Sequence, residues 1–167
     1  MKNLVFSLFV ILIFAACKKS SDNPTPPAGN YIKIDSDTRE LGDVPGTDVS
    51  YVEADYPDGP LLAVGITKKV ANIDGSKNEY LIMSIALFEG GVSNTEYKIE
   101  NVANHSPSSS SITITLHGNE INAGMTGKAG KLYVTRDESN KIKSFKFENI
   151  QMDGTYEATV SCNVVVK

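Results

Sequence analysis

From Tyr31 onward, apolar residues recur at every second position in most segments, and short groups of turn-forming residues separate those segments. A period of two is typical of strands that bury one face, whereas a helix repeats about every 3.6 residues. The alternation is clearest between Tyr156 and Val166, where one face is apolar and the other mostly polar. The pattern predicts strands at 31–34, 49–53, 61–67, 79–88, 96–99, 111–116, 131–136, 142–148 and 156–166.

These strands predict an all-β fold, a single antiparallel domain at 31–167 that is sandwich-like or barrel-like. Segment 79–88 is apolar on both faces, which favours a central strand covered on each side over a buried helix. Segment 104–111 includes four consecutive serines and predicts a mobile loop. Gly124, Gly127 and Gly130 predict a further loop between strands.

The first residues have a different pattern, with Lys2 followed by a run from Leu4 to Phe14 that is apolar except at Ser7. At about 1.5 Å per residue, such a helix reaches only about 16 Å and does not span a hydrocarbon core of about 30 Å. We interpret 1–16 as a signal peptide. The small residues Ala15 and Ala16 directly before Cys17 resemble the lipobox of bacterial lipoproteins, which implies that Cys17 is lipidated.

Residues 17–30 form the predicted flexible tether, because this polar segment contains Pro24, Pro26 and Pro27, which disfavour both helix and sheet. The lipid and the tether together predict a protein anchored in the cell envelope. The membrane is then its first partner, through the N-terminal lipid.

The segments IALFEGG (85–91) and TEYKI (95–99), followed by GKLYVT (130–135) and FKF (145–147), resemble small Bacteroidota lipoproteins of unknown activity. In that group a strand and a glycine turn precede a C-terminal series of hairpins. The resemblance implies a β-sandwich-like lipoprotein domain at the outer membrane of a Gram-negative bacterium, facing either the periplasm or the outside. It brings no catalytic residues with it.

Charge and cysteine content narrow the functional classes. The chain has a formal net charge of −4, and three of its lysines but only one acidic residue precede Tyr31, so the domain itself is more acidic still. Nucleic acid is therefore not an expected partner, since phosphate binding requires clustered positive charge. With Cys17 taken by lipid, Cys162 has no disulfide partner and is expected in the core.

Acidic residues are dense between Asp35 and Asp58, and calcium is the cofactor that such a segment suggests. Its weak candidate ligands are Asp35, Asp37 and Asp43. A standard calcium loop starting at Asp35 would, however, place Glu40 where glycine is required and Gly46 where the bidentate glutamate belongs. A solvated acidic face is therefore the default interpretation, and no other cofactor is expected.

Candidate chemistry elsewhere is sparse. His105 and His117 have no further ligand at zinc spacing and are expected at the surface. Tyr51 and Tyr56 flank the acidic segment and are the weak candidates for ligand binding. No catalytic residue is assigned.

The sequence thus predicts a membrane-anchored envelope lipoprotein with a non-enzymatic binding or structural role towards an unknown protein or glycan. One alternative is a small envelope hydrolase that uses carboxylates. Another is an accessory subunit of a surface assembly that recruits its partner through an exposed edge strand.

Overall fold

The computed structural model describes residues 28–56, 59–71, 78–88, 95–101, 103, 105–117 and 122–167. Its strands are β1 Tyr31–Ile34, β2 Asp37–Glu40, β3 Val49–Tyr56, β4 Gly59–Ala71, β5 Asn78–Phe88, β6 Glu96–Ile99, β7 Ser109–His117, β8 Asn122–Arg136, β9 Ile142–Gly154 and β10 Ala158–Val165. A single turn of 3-10 helix, Gly46–Asp48, precedes β3. Within this part of the chain, no helix has the length and apolarity that a membrane crossing requires.

The ten strands form one sheet, in the order β2-β1-β10-β9-β8-β6-β7-β5-β4-β3. All neighbours are antiparallel except β6 and β7, and β8 pairs with β7 as well as with β6. The sheet does not close into a barrel, because β2 and β3 remain at its two ends. The all-β, sandwich-like prediction is therefore confirmed, and the barrel-like alternative is not.

Most strands direct alternate side chains to one inner face, and these side chains form a single buried cluster. The sheet curls over this face, since β2 contacts β4 and Lys68 of β4 reaches the loop after β2, where it donates to the carbonyl oxygen of Asp43 at 2.6 Å. The largest members of the cluster with almost no exposure are Tyr97, Phe145, Phe147, Ile32, Ile66, Leu81, Met83 and Leu87. Burial of so much apolar surface supplies the main stabilisation of the fold.

Gly124, Gly127 and Gly130 lie within β8, so the prediction of a loop there is wrong. The register of β8 against β9 shifts around Gly127 and Ala129, and β8 changes its partner from β7 to β6 along this stretch. Gly130 has a φ of +139°, which residues with a side chain rarely adopt, and a Cβ there would overlap Cδ1 of Ile150. The glycines therefore allow a long strand to bend under close packing instead of ending it.

Two further predictions need correction. Ser109, Ser110 and Ser111 begin β7 and are buried, so they do not belong to a mobile loop. Their small volume allows close packing that apolarity alone does not indicate, and the Ser109 hydroxyl accepts a hydrogen bond from the Ser106 N–H at 3.1 Å. β5 is a central strand as predicted, but its outer face is covered mainly at Phe88, whose ring stacks on His105 with centroids 3.9 Å apart. His105 is thus half-buried, whereas His117 is exposed as expected.

We predict that Gly130→Ala lowers the free energy of unfolding by about 2–4 kcal/mol, because the new methyl group is both strained and overlapped. Adding Ile150→Val removes the overlapped Cδ1 and should recover part of this loss. Urea denaturation measures both changes. Gly124→Ala is the control, since a Cβ there has nothing within 4 Å; equal losses at both glycines would contradict the explanation.

Candidate functional site

A groove of about 640 Å³ lies between the free edge of β3 and the turn that joins β8 to β9. Tyr51, Glu53 and Asp55 line it from β3, and Arg136 and Lys141 line it from the turn. These elements are remote in sequence and become neighbours because the sheet curls. The groove therefore lies where β3, at one end of the sheet, approaches the β8–β9 hairpin, which belongs to the middle of the sheet.

The backbone of β3 faces the groove at alternate residues. The N–H of Val49 donates to the carbonyl oxygen of Gly46 and not to β4. Since alternate residues of an antiparallel strand direct both backbone groups to the same side, Tyr51, Glu53 and Asp55 direct theirs to the free edge. Pro60, which has no N–H, stands opposite Asp55, as this parity requires. These groups have no backbone partner elsewhere in the described ranges.

The opposite wall is a tightly bonded turn. Oδ1 of Asp137 accepts hydrogen bonds from the N–H groups of Ser139 and Lys141, both at 2.9 Å. Asn140 has a φ of 63°, and its N–H donates to the carbonyl oxygen of Asp137 at 2.9 Å. An aspartate that bonds the backbone two residues ahead is a well-known device for fixing turns. This wall is therefore preorganised.

Arg136 is held at the junction between this turn and the core. Its guanidinium donates to the hydroxyl of Tyr97 at 3.0 Å and to the carbonyl oxygen of Asn140 at 3.1 Å. Tyr97 itself is completely buried. The positive charge of Arg136 therefore has a fixed position at the groove.

Tyr51 connects the two walls, because its hydroxyl donates to the carbonyl oxygen of Ile142 at 3.4 Å. Partial burial raises the pKa of this hydroxyl and the carboxylate of Asp137 raises it further, while Arg136 acts in the opposite direction. Tyr51 therefore remains a neutral donor at physiological pH. Its side chain is still 39% exposed, so part of the ring is available to a ligand.

The groove has one acidic wall and one basic wall. Glu53 and Asp55 are exposed and form no ion pair with a described residue. Both carboxylates project from the same strand, two residues apart, whereas glycoside hydrolysis needs two carboxyl groups that flank the scissile bond. The arrangement is better suited to binding a polar, extended ligand than to acid–base chemistry.

The calcium candidates are distributed over two places. Asp35 and Asp37 line a second cavity of about 410 Å³ together with Arg39, whose positive charge disfavours a cation. Both oxygens of Asp35 accept hydrogen bonds, from the Tyr156 hydroxyl at 3.2 Å and the Thr159 N–H at 2.8 Å.

Asp43 instead forms an ion pair with Lys167 at 2.6 Å, and this hydrogen bond lowers the pKa of its carboxyl group. In the described parts of the chain, no three side chains of His, Cys, Asp or Glu come together as a metal-binding group. The solvated acidic face stays the default interpretation, with calcium as its weak alternative.

The remaining candidates can be placed only in part. Cys17 and the other residues of 1–27 lie outside the described residues, and so does the side chain of Tyr56. Tyr51 does line the groove, whereas Arg136 and Lys141 were missed. The polar run at 137–140 could have indicated a tight turn, but not the strand that it faces.

Comparisons of the chain with protein-family models, with curated proteins and with solved structures found no match.

Cys162 is fully buried, and burial strongly raises the pKa of its thiol. We predict that a thiol-reactive dye will not modify it in a folded Cys17→Ala variant, because the reactive thiolate is suppressed and inaccessible. One equivalent should react after denaturation in guanidinium. Adding Ser84→Cys, at an exposed position of β5, provides the reactive control. Rapid labelling of native Cys162 would contradict the prediction.

Proposed function

We propose that this chain is a lipid-anchored protein of the outer membrane whose β domain binds a partner, without catalysis, in the groove beside β3. The observation that carries the proposal is the free edge of β3, where the backbone groups of Tyr51, Glu53 and Asp55 face a groove with a preorganised opposite wall. A long edge with unpaired backbone groups is a ready template for another chain. A fixed turn beside it adds side-chain selectivity.

The point at which the chain enters the sheet supports the anchoring part of the proposal. β1 begins at Tyr31, directly after the predicted tether at 17–30. The Asn30 side-chain amide donates to the carbonyl oxygens of Gly42 and Val165 at 2.9 Å each, and its Oδ1 accepts from the Val165 N–H at 2.7 Å. The domain is thus secured at its first residues, which suits a domain held by a linker on that side.

The binding role is favoured over the hydrolase alternative by the composition of the groove. A hydrolase of this kind requires carboxylates on both sides of the substrate, but here the wall facing Glu53 and Asp55 contains Arg136 and Lys141. Opposite charges on two walls instead complement a ligand that presents both backbone dipoles and charged side chains.

We predict that the chain incorporates a fatty-acid label through Cys17 and fractionates with the outer membrane. The thiol of Cys17 is the acylation site implied by the residues before it, so Cys17→Ala should remove the label. Metabolic labelling with an alkyne fatty acid, followed by membrane fractionation, measures this. Cys162→Ala is the matched control and should label as wild type. Label that persists in Cys17→Ala would contradict anchoring.

We predict that a photo-crosslinking amino acid at Ser139, in the groove, forms light-dependent adducts with a protein in intact cells. The same group at Glu157, which is exposed and outside the groove, should form none. Immunoblots with and without irradiation give the readout. Equal adducts at both positions, or none at either, would contradict binding at the groove.

A further inference from the structure

We propose that the occupant of the groove is an extended segment of another protein that pairs with β3 as an added strand, with basic residues alternating with apolar ones. This inference rests on the proposed function and specifies its partner class. It combines the free backbone edge of β3, the charges beside that edge and the apolar surface behind it.

Backbone pairing defines where the segment lies. Tyr51, Glu53 and Asp55 each direct an N–H and a C=O to the free edge, which provides every second rung of an antiparallel ladder. An added strand therefore directs the backbone groups of its own alternate residues to these three. Main-chain bonds of this kind provide affinity that does not depend on sequence, while the side chains select the partner.

The charges select the residues on the groove side. Residues of the added strand that stand opposite Glu53 and Asp55 share a face with these carboxylates, with Cβ atoms about 5 Å apart. Both carboxylates lack an ion pair with a described residue, and the guanidinium of Arg136 is oriented by the Tyr97 hydroxyl and the Asn140 carbonyl oxygen instead of by either carboxylate. Lysine or arginine at those two positions would pair with the Glu53 and Asp55 carboxylates.

The other face of the added strand meets apolar surface. Val52 is 60% exposed on the outer face of β3, and Ala54 beside it is half-buried. In the next strand, Ala63 stands opposite Val52 and Leu61 stands opposite Ala54, and both are half-buried. Apolar residues in the added strand would extend this surface by one row and shield Val52.

A second copy of this chain fits the edge poorly. Antiparallel pairing of two β3 strands centred on Glu53 places the two Glu53 side chains opposite each other and each Asp55 beside them. Like charges directly opposite one another destabilise a sheet. The carboxylates thus act against self-association while leaving the edge open to a basic segment.

The other end of the sheet does not offer an equivalent edge. β2 covers only Asp37–Glu40 and contacts β4 on the curled sheet, whereas β3 covers Val49–Tyr56. A short edge that already contacts another element is a poor template for strand addition.

The probe is a fluorescent, end-blocked heptapeptide, Thr-Lys-Val-Lys-Val-Tyr-Thr, titrated against the full-length protein in detergent micelles. In antiparallel register, its lysines stand opposite Asp55 and Glu53 and its tyrosine stands opposite Tyr51. N-methylation of both lysines and the tyrosine blocks the backbone groups that face β3 and should weaken binding by about tenfold or more. N-methylation of the two valines, whose backbone groups face away, is the matched control and should leave binding within about twofold.

Reversing the charges on β3 and on the peptide tests whether charge selects the partner. The variant E53K/D55K should lose the lysine peptide and bind Thr-Glu-Val-Glu-Val-Tyr-Thr instead, which wild type should not bind. Urea denaturation confirms that this variant folds. The inference is overturned if wild type does not bind the lysine peptide, if both N-methylated peptides bind alike, or if the exchange leaves the preference unchanged.

The two proposals fail in different ways. Adducts from Ser139 in cells without peptide binding in vitro would leave the groove as a binding site and reject strand addition. If neither Ser139 adducts nor peptide binding is observed, both proposals are rejected.

Discussion

The structure depends on one constraint, which is that nearly every strand has a single apolar face and no helix among the described elements is large enough to cover it. A flat sheet of ten such strands would leave that face in water, at a cost of tens of kcal/mol by ordinary estimates of apolar transfer. The sheet therefore curls until its own strands cover one another. Curling brings β2 towards β4 and β3 towards the β8–β9 turn without closing the ladder. The groove beside β3 is the gap that this incomplete closure leaves.

Curvature of this degree requires a place where the sheet bends, and β8 provides it. The strand pairs with β7 at its start and with β6 at its end, and the bend lies at glycines that tolerate the close approach of Ile99 and Ile150. Beyond the bend, Arg136 at the end of β8 reaches the hydroxyl of Tyr97 on β6. The same residues that allow the sheet to curl therefore determine where the basic wall of the groove stands.

The alternation of apolar residues was sufficient to predict the fold class and most strands, because period two survives wherever one face is buried. It failed where packing depends on small size rather than apolarity, and where a short edge strand carries no apolar side chain. The glycines of β8 were read as a loop, the serines at the start of β7 were read as mobile, and the polar strand Asp37–Glu40 was missed. Of the candidate site, Tyr51 was identified from its acidic neighbours. Arg136 and Lys141 could not be identified from the sequence, because only the curvature of the sheet brings them to β3.

The hydrogen bonds of Asn30 have a mechanical consequence. Any tension applied to the chain at Gly29 reaches the sheet through the Asn30 amide before it reaches β1. A force directed along β1 then loads all the pairs between β1 and β10 at the same time, from Tyr31–Asn163 to Ile34–Val160. The pairs between β1 and β2 carry part of the same load on the other side of β1. A force directed across β1 would instead unzip these pairs one at a time, starting at Tyr31. The domain should therefore resist drag along one axis far better than along the other.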